Sequence, residues 1–130
     1  MYLLDTNICV EFLASNPRVI ERLTALDHAQ VYLSAVTIGE MAYGAMRSSR
    51  PAQEVLRLHR LMADAAVLPI DAHTALEYGN LKAQLSAIGQ LLEDNDLFIA
   101  STAISRGLTL VTHDKGFARI SGLRIEDWLE

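Results

Sequence analysis

Four carboxylates stand out for what they could do together: Asp5, Glu40, Asp96 and Asp114. Each follows or opens a segment that reads as a strand end or a helix start. Taken singly, each also fits a plain structural role. Asp5 can cap the turn into a helix near Asn7, Thr37-Ile38-Gly39-Glu40 fits a T-x-x-E capping box, Asp96 can be an N-cap, and His113-Asp114-Lys115-Gly116 reads as a turn. Brought to one pocket without a cationic partner, four carboxylates repel one another, and some must take up protons unless a cation joins them. Oxygen-only ligands suit Mg²⁺ or Mn²⁺, and such a site activates water for displacement at a phosphodiester. Zinc fits less well. Cys9 is the only thiol, and His28, His59, His73 and His113 lack metal-ligand spacing.

The elements that must position these acids alternate in type. Tyr2-Leu3-Leu4, Val31-Tyr32-Leu33, Val67-Leu68-Pro69-Ile70 and Leu108-Thr109-Leu110-Val111 are short apolar or β-branched runs, expected to be strands buried on both faces. Helical patterns separate them: one from about Asn7, one opening at Pro17 with Val19, Ile20, Leu23 and Leu26 on a stripe, and one carrying Ile38, Met41, Ala42 and Ala45. A further helix opens at Pro51 with Leu58, Leu61 and Met62 inward. Asp71 caps a long one bearing Tyr78, Leu81, Leu85 and Ile88, which Gly89 ends, and the last runs over 96–106. This order predicts an α/β fold with a parallel sheet between helical layers. Ligands of such sheets bind beyond the carboxyl ends of the strands, where the four acids fall.

Composition agrees with one domain over residues 1–130. The chain is 51% apolar with few Gly and Pro, long enough to bury a core without staples. No signal segment or membrane span is expected, and one cysteine suits a reducing cytoplasm. The formal charge of −5 argues against coating nucleic acid through the overall field. Removing the four candidate ligands leaves a nearly neutral remainder. Between Arg47 and Arg60 lie four Arg and one acid, Glu54, so Arg47 and Arg50 are candidate phosphate contacts, with Lys115 and Arg119 as alternatives and a solvated helix face as the plain reading.

The segments Leu3-Leu4-Asp5-Thr6-Asn7, Ser34 through Met41 with Tyr43-Gly44, Asp94 through Ala100, and Leu110 through Phe117 followed by Ile125-Glu126-Asp127-Trp128 resemble, in order and spacing, a PIN-domain ribonuclease of the VapC toxin type. The similarity spans Leu3 to Trp128. It implies a three-layer α/β/α PIN fold with a central mostly parallel sheet. It implies an endoribonuclease dependent on Mg²⁺ or Mn²⁺, cutting RNA with metal-activated water. It also implies a homodimer, restrained by a VapB-type antitoxin in a type II toxin–antitoxin pair and forming a higher assembly with it. Asp5, Glu40, Asp96 and Asp114 match the family's acidic quartet, Thr6 and Thr112 the supporting hydroxyls, and Asn7 the polar residue beside the first acid. A groove between helices is expected to hold the antitoxin and another helical face to form the dimer, with Leu13, Leu56 and Met62 as candidates for lining either surface and ordinary core packing as the plain reading. Two departures stand out: Glu93 and Asp94 add charge before Asp96, and His113 stands where Asn is common. Asp94 is expected to be a loop charge. The competing readings are a catalytically silent PIN-like module binding RNA or protein, and a receiver-type phosphoacceptor domain. Against the latter, Asp5 has no acidic neighbour and Lys115 follows Asp114.

Overall fold

The computed structural model describes all 130 residues. Five strands form one sheet: β1 (Tyr2–Leu4), β2 (Val31–Ser34), β3 (Ala66–Leu68), β4 (Thr109–Val111) and β5 (Ile125–Glu126). Their order is β3-β2-β1-β4-β5 and every pairing is parallel. The expected mostly parallel sheet is therefore wholly parallel. This order differs from the 2-1-3-4-5 order of receiver-type domains, which removes that alternative.

Six helices cross between the strands: α1 (Thr6–Leu13), α2 (Pro17–Thr24), α3 (Ala35–Arg47), α4 (Pro51–Asp64), α5 (Ala72–Ala87) and α6 (Asp94–Arg106). Local chemistry sets their starts. Asn16 accepts from the Arg18 N–H ahead of Pro17, and Asp71 accepts from the Thr74 N–H. Ser34, rather than Thr37, caps α3, so the anticipated Thr37–Glu40 capping box does not form. Helix α6 begins at Asp94, two residues earlier than expected, which places Asp96 inside the first turn instead of at the cap.

Alternation along the strands divides the core in two. Leu3 and Leu110 face α5 and α6, packing with Leu81, Leu85, Leu97, Ile99 and Phe117. Leu4, Leu33 and Val111 face the other layer, with Ile8, Cys9, Val19, Met41, Leu58, Leu61 and Trp128. The expectation of strands buried on both faces holds for the centre and fails at β3. That edge strand starts at Ala66, stops before Pro69-Ile70 and is only half-buried. Ile88, expected on the inner stripe of α5, is exposed. Leu110→Ala, which opens a void beneath the interior β4 strand, should destabilise the chain by about 2–5 kcal/mol, readable as a lower urea midpoint at unchanged m-value.

Candidate active site

The strand order reverses between β1 and β4, and both run the same way, so their carboxyl ends leave a crevice at the switch point. Asp5 leaves β1 there, and Thr112 and Asp114 leave β4. The start of α6 brings Asp96, and α3 brings Glu40.

Asp5 is the most constrained of these groups. It is 5% exposed and caps α1. One carboxylate oxygen accepts from the Thr6 N–H at 2.8 Å and the other from the Thr112 hydroxyl at 2.8 Å. Burial pushes its pKa up, those two hydrogen bonds pull against the rise, and the charges of Glu40 and Asp114 add to it. Thr112 also accepts from the Asp114 N–H at 3.0 Å, so one buried hydroxyl ties the two acids' segments together. Asp114 in turn accepts from the Gly116 N–H at 2.8 Å. A Cβ at Gly116 would stand 3.1 Å from that carboxylate oxygen, so any larger residue there would press on the Asp114 side chain.

Glu40 accepts from the Thr6 hydroxyl at 2.8 Å, and the Thr37 hydroxyl lies 3.1 Å from Thr6. One proton on Thr6 cannot serve both neighbours. The Glu40 carboxylate, at the shorter distance, takes it, and Thr37 supplies the other bond. Thr37 is thus a functional neighbour that the capping-box reading misassigned, and its complete burial is what sequence spacing did not reveal.

Asp96 is half-buried, and desolvation together with the charges of Asp5, Asp114, Glu40 and Glu93 raises its pKa to about 6. Every charge acting on it is negative. No basic side chain answers this repulsion, and four carboxylates therefore form an oxygen-rich, electrically strained crevice. They do not close into a three-ligand cage among themselves. A hard ion that keeps waters and substrate oxygens needs only one or two carboxylates, so Asp5 and Asp96, with Glu40 or Asp114, could hold Mg²⁺ or Mn²⁺.

The remaining candidate residues separate clearly. Asn7 is exposed at the start of α1 and joins none of these bonds. Asp94 points away from the cluster, accepting from Lys82 at 2.8 Å and from the Tyr78 hydroxyl at 2.7 Å, so it is a helix charge with partners and not a free loop charge. His113 pairs with Asp127 at 2.8 Å. Lys115 reaches Glu130 at 3.1 Å, and Arg119 donates to the Leu91 carbonyl at 3.1 Å. Arg57 is held by Glu54 and the Leu13 carbonyl. Arg47 and Arg50 remain exposed near the α3–α4 corner.

Residues 2–123 match the PIN domain family model. A tRNA(fMet)-specific endonuclease VapC of Shigella flexneri is 34% identical over 98% of this chain and 97% of its own length. The ribonuclease VapC2 of Haemophilus influenzae (strain ATCC 51907 / DSM 11121 / KW20 / Rd) is 33% identical over 98% of each chain. The chain belongs to the VapC family of PIN domains. Among solved structures, VapBC2 from Rickettsia felis, bound to a promoter DNA fragment, superposes on this PIN domain with a TM-score of 0.92 at 31% identity over 98% of each chain. DNA-bound VapBC from Salmonella typhimurium gives 0.91 at 34% identity, covering 98% of this chain and 97% of that one.

Thr112→Val tests how this PIN domain holds its site. It keeps the side-chain shape and deletes the hydroxyl shared by Asp5 and the Asp114 N–H. We expect about 1–3 kcal/mol of destabilisation in chemical denaturation and roughly 10- to 100-fold weaker Mn²⁺ binding by calorimetry.

Proposed function

We propose that this PIN domain is an endoribonuclease dependent on Mg²⁺ or Mn²⁺, the toxin of a toxin–antitoxin pair. The observation that carries the reading is the meeting of Asp5, Glu40, Asp96 and Asp114 at the sheet's switch point with no cation among them. A bound ion supplies Lewis acidity that activates water and offsets charge on the phosphodiester. The chain's part is to hold oxygens in place for it. Asp5 is fixed through both oxygens and Glu40 through Thr6, while the Asp114 turn is tied by Thr112 and Gly116. Asp96, held up to about 6 by burial and by its acidic neighbours in the metal-free chain, would give up that proton to an ion competing for the same oxygens. No histidine base is needed, and the one nearest in sequence, His113, is engaged with Asp127.

The partner reading has a place in the fold. A groove of about 320 Å³ is lined by Val10, Leu13, Met41 and Leu58, with Thr6 and Glu40 also in its wall. An antitoxin segment seated there would abut the acids, consistent with the VapBC complexes that resemble this chain. Of the three residues offered for the partner surfaces, Leu13 lines this groove, Leu56 is exposed outside it, and Met62 takes the plain reading and packs against the core. A homodimer belongs to the same reading, and exposed Leu76 on α5 and Ile88 at its C-terminal cap offer apolar surface for it. No helix is long and apolar enough to cross a membrane.

The deciding experiment incubates the purified chain with total RNA in Mg²⁺ or Mn²⁺, with and without EDTA, and sequences the new RNA ends. Discrete cuts that EDTA abolishes support the proposal. Intact RNA in both metals, with the chain folded, would favour the silent-module alternative.

A further inference from the structure

We propose that Tyr43, with Arg47 against its ring, is a stacking platform for an unpaired RNA base next to the phosphate being cut. The inference rests on the ribonuclease reading and assigns substrate contacts beyond the acids. Glu40, Tyr43 and Arg47 follow one another at spacings of three and four on α3, which sets them along one helix face. Tyr43 is 65% exposed, the one aromatic ring left largely in solvent. Tyr2 packs edge-on against Trp128, and Tyr78 stacks on Phe98. The Arg47 guanidinium lies 5.2 Å from the Tyr43 ring centroid and places a positive charge beside an otherwise acidic edge.

The ring opens onto a cleft of about 630 Å³ lined by Val36, Gly39, Glu40, Tyr43 and Asn95. That cleft joins it to Glu40 and to the residue before Asp96. Gly39 lines the cleft with no side chain of its own. It sits inside a helix, where glycine is unfavourable relative to alanine. A Cβ there would meet nothing within 4 Å, so packing does not demand glycine. An open recess, an exposed ring and a guanidinium on the helix face that also carries Glu40 are the parts that recognise splayed single-stranded RNA, whose bases stack on aromatics while arginine meets phosphate.

Binding is measured by fluorescence anisotropy with a fluorescein-labelled, unstructured eight-nucleotide RNA, in the full chain carrying Asp5→Asn so that binding is read without cutting. Tyr43→Ala should weaken it about 5- to 100-fold, while Tyr43→Phe and Tyr43→Trp retain it. Gly39→Leu should also weaken binding while raising the denaturation midpoint, which separates blockage of the cleft from misfolding. An abasic scan of the probe should find one position whose base matters to the Tyr43 chain and not to Tyr43→Ala.

Unchanged affinity in Tyr43→Ala, an abasic penalty that persists in it, or no binding of the probe at all would overturn the platform. So would sedimentation showing that Tyr43→Ala alters only self-association, which would make the ring a protein contact. The nuclease reading fails separately. A chain with Asp5 intact that binds the probe as described but never cuts RNA retains the platform and loses the nuclease, whereas a cutting chain indifferent to Tyr43→Ala does the reverse.

Discussion

Asp5→Asn should reduce divalent-ion-dependent RNA cleavage at least about 100-fold, the scale of removing one stabiliser of transition-state charge, while leaving the metal-free fold within about 1 kcal/mol of the parent at pH 7. Two opposed effects set that small change. The amide has one acceptor oxygen for the two donors, the Thr6 N–H and the Thr112 hydroxyl, that now bind Asp5. One of those contacts is lost. Against this, removing a buried charge relieves the desolvation and repulsion that raise the Asp5 pKa. The discriminating measurement is the melting temperature with and without metal. At a concentration 100 times the dissociation constant, an ion binding only the folded chain adds about 2.7 kcal/mol, roughly 10 °C for a domain of this size. The parent should gain that increment in Mn²⁺ and Asp5→Asn should not. Equal gains in both chains, or parental cleavage rates in the variant, would remove Asp5 from the site.

The second large effect is a reversal of pH dependence by metal, centred on Asp96. Its folded-state pKa, about 6, lies above the ordinary carboxyl value. The folded chain therefore holds that proton more tightly than the unfolded chain does. The resulting stability is fully present below the ordinary value of about 3.9 and is lost as pH rises through about 6. Asp5 acts in the same direction. Asp71, lowered chiefly by its Thr74 N–H bond, and Asp94, lowered chiefly by Lys82, act in the opposite sense, and their contributions fade only as pH falls below the ordinary range. In EDTA the melting temperature should thus decline from pH 4.5 to pH 7 in this titration window. With saturating Mn²⁺ it should climb instead, because the ion competes with the proton for the same oxygens. Asp96→Asn should flatten the EDTA slope, abolish the climb, and lower cleavage on the scale of Asp5→Asn. A melting temperature in EDTA that ignores pH would contradict the crowding of these carboxylates.

Much of the architecture was legible from local pattern. Pro17 and Asp71 announce helix starts because capping depends on a residue and its nearest neighbours. The same locality explains the misreadings. Thr37 and Glu40 satisfy the capping-box spacing, yet Ser34 already supplies the cap, so both side chains turn to Thr6, more than thirty residues away. Strand β5 is two residues long, too short for any periodicity, and exists because the edge of β4 has open hydrogen bonds for it. Lys115 and Arg119 read as free cations beside Asp114, but Glu130 and the Leu91 carbonyl claim them from distant segments.

The amino-acid order by itself determined the alternation of strand and helix, and with it a parallel sheet whose carboxyl edge receives Asp5 and Asp114, because apolar periodicity and capping act over a few residues. Tertiary structure alone decided that a Thr112 hydroxyl, 107 residues from Asp5, should bind that carboxylate, that Asp94 should leave the cluster for Lys82, and that Asp96 should keep its proton to about pH 6. Hydrogen-bond pairing, desolvation and charge repulsion depend on distance and burial in space, and those exist only once the chain has closed around its core.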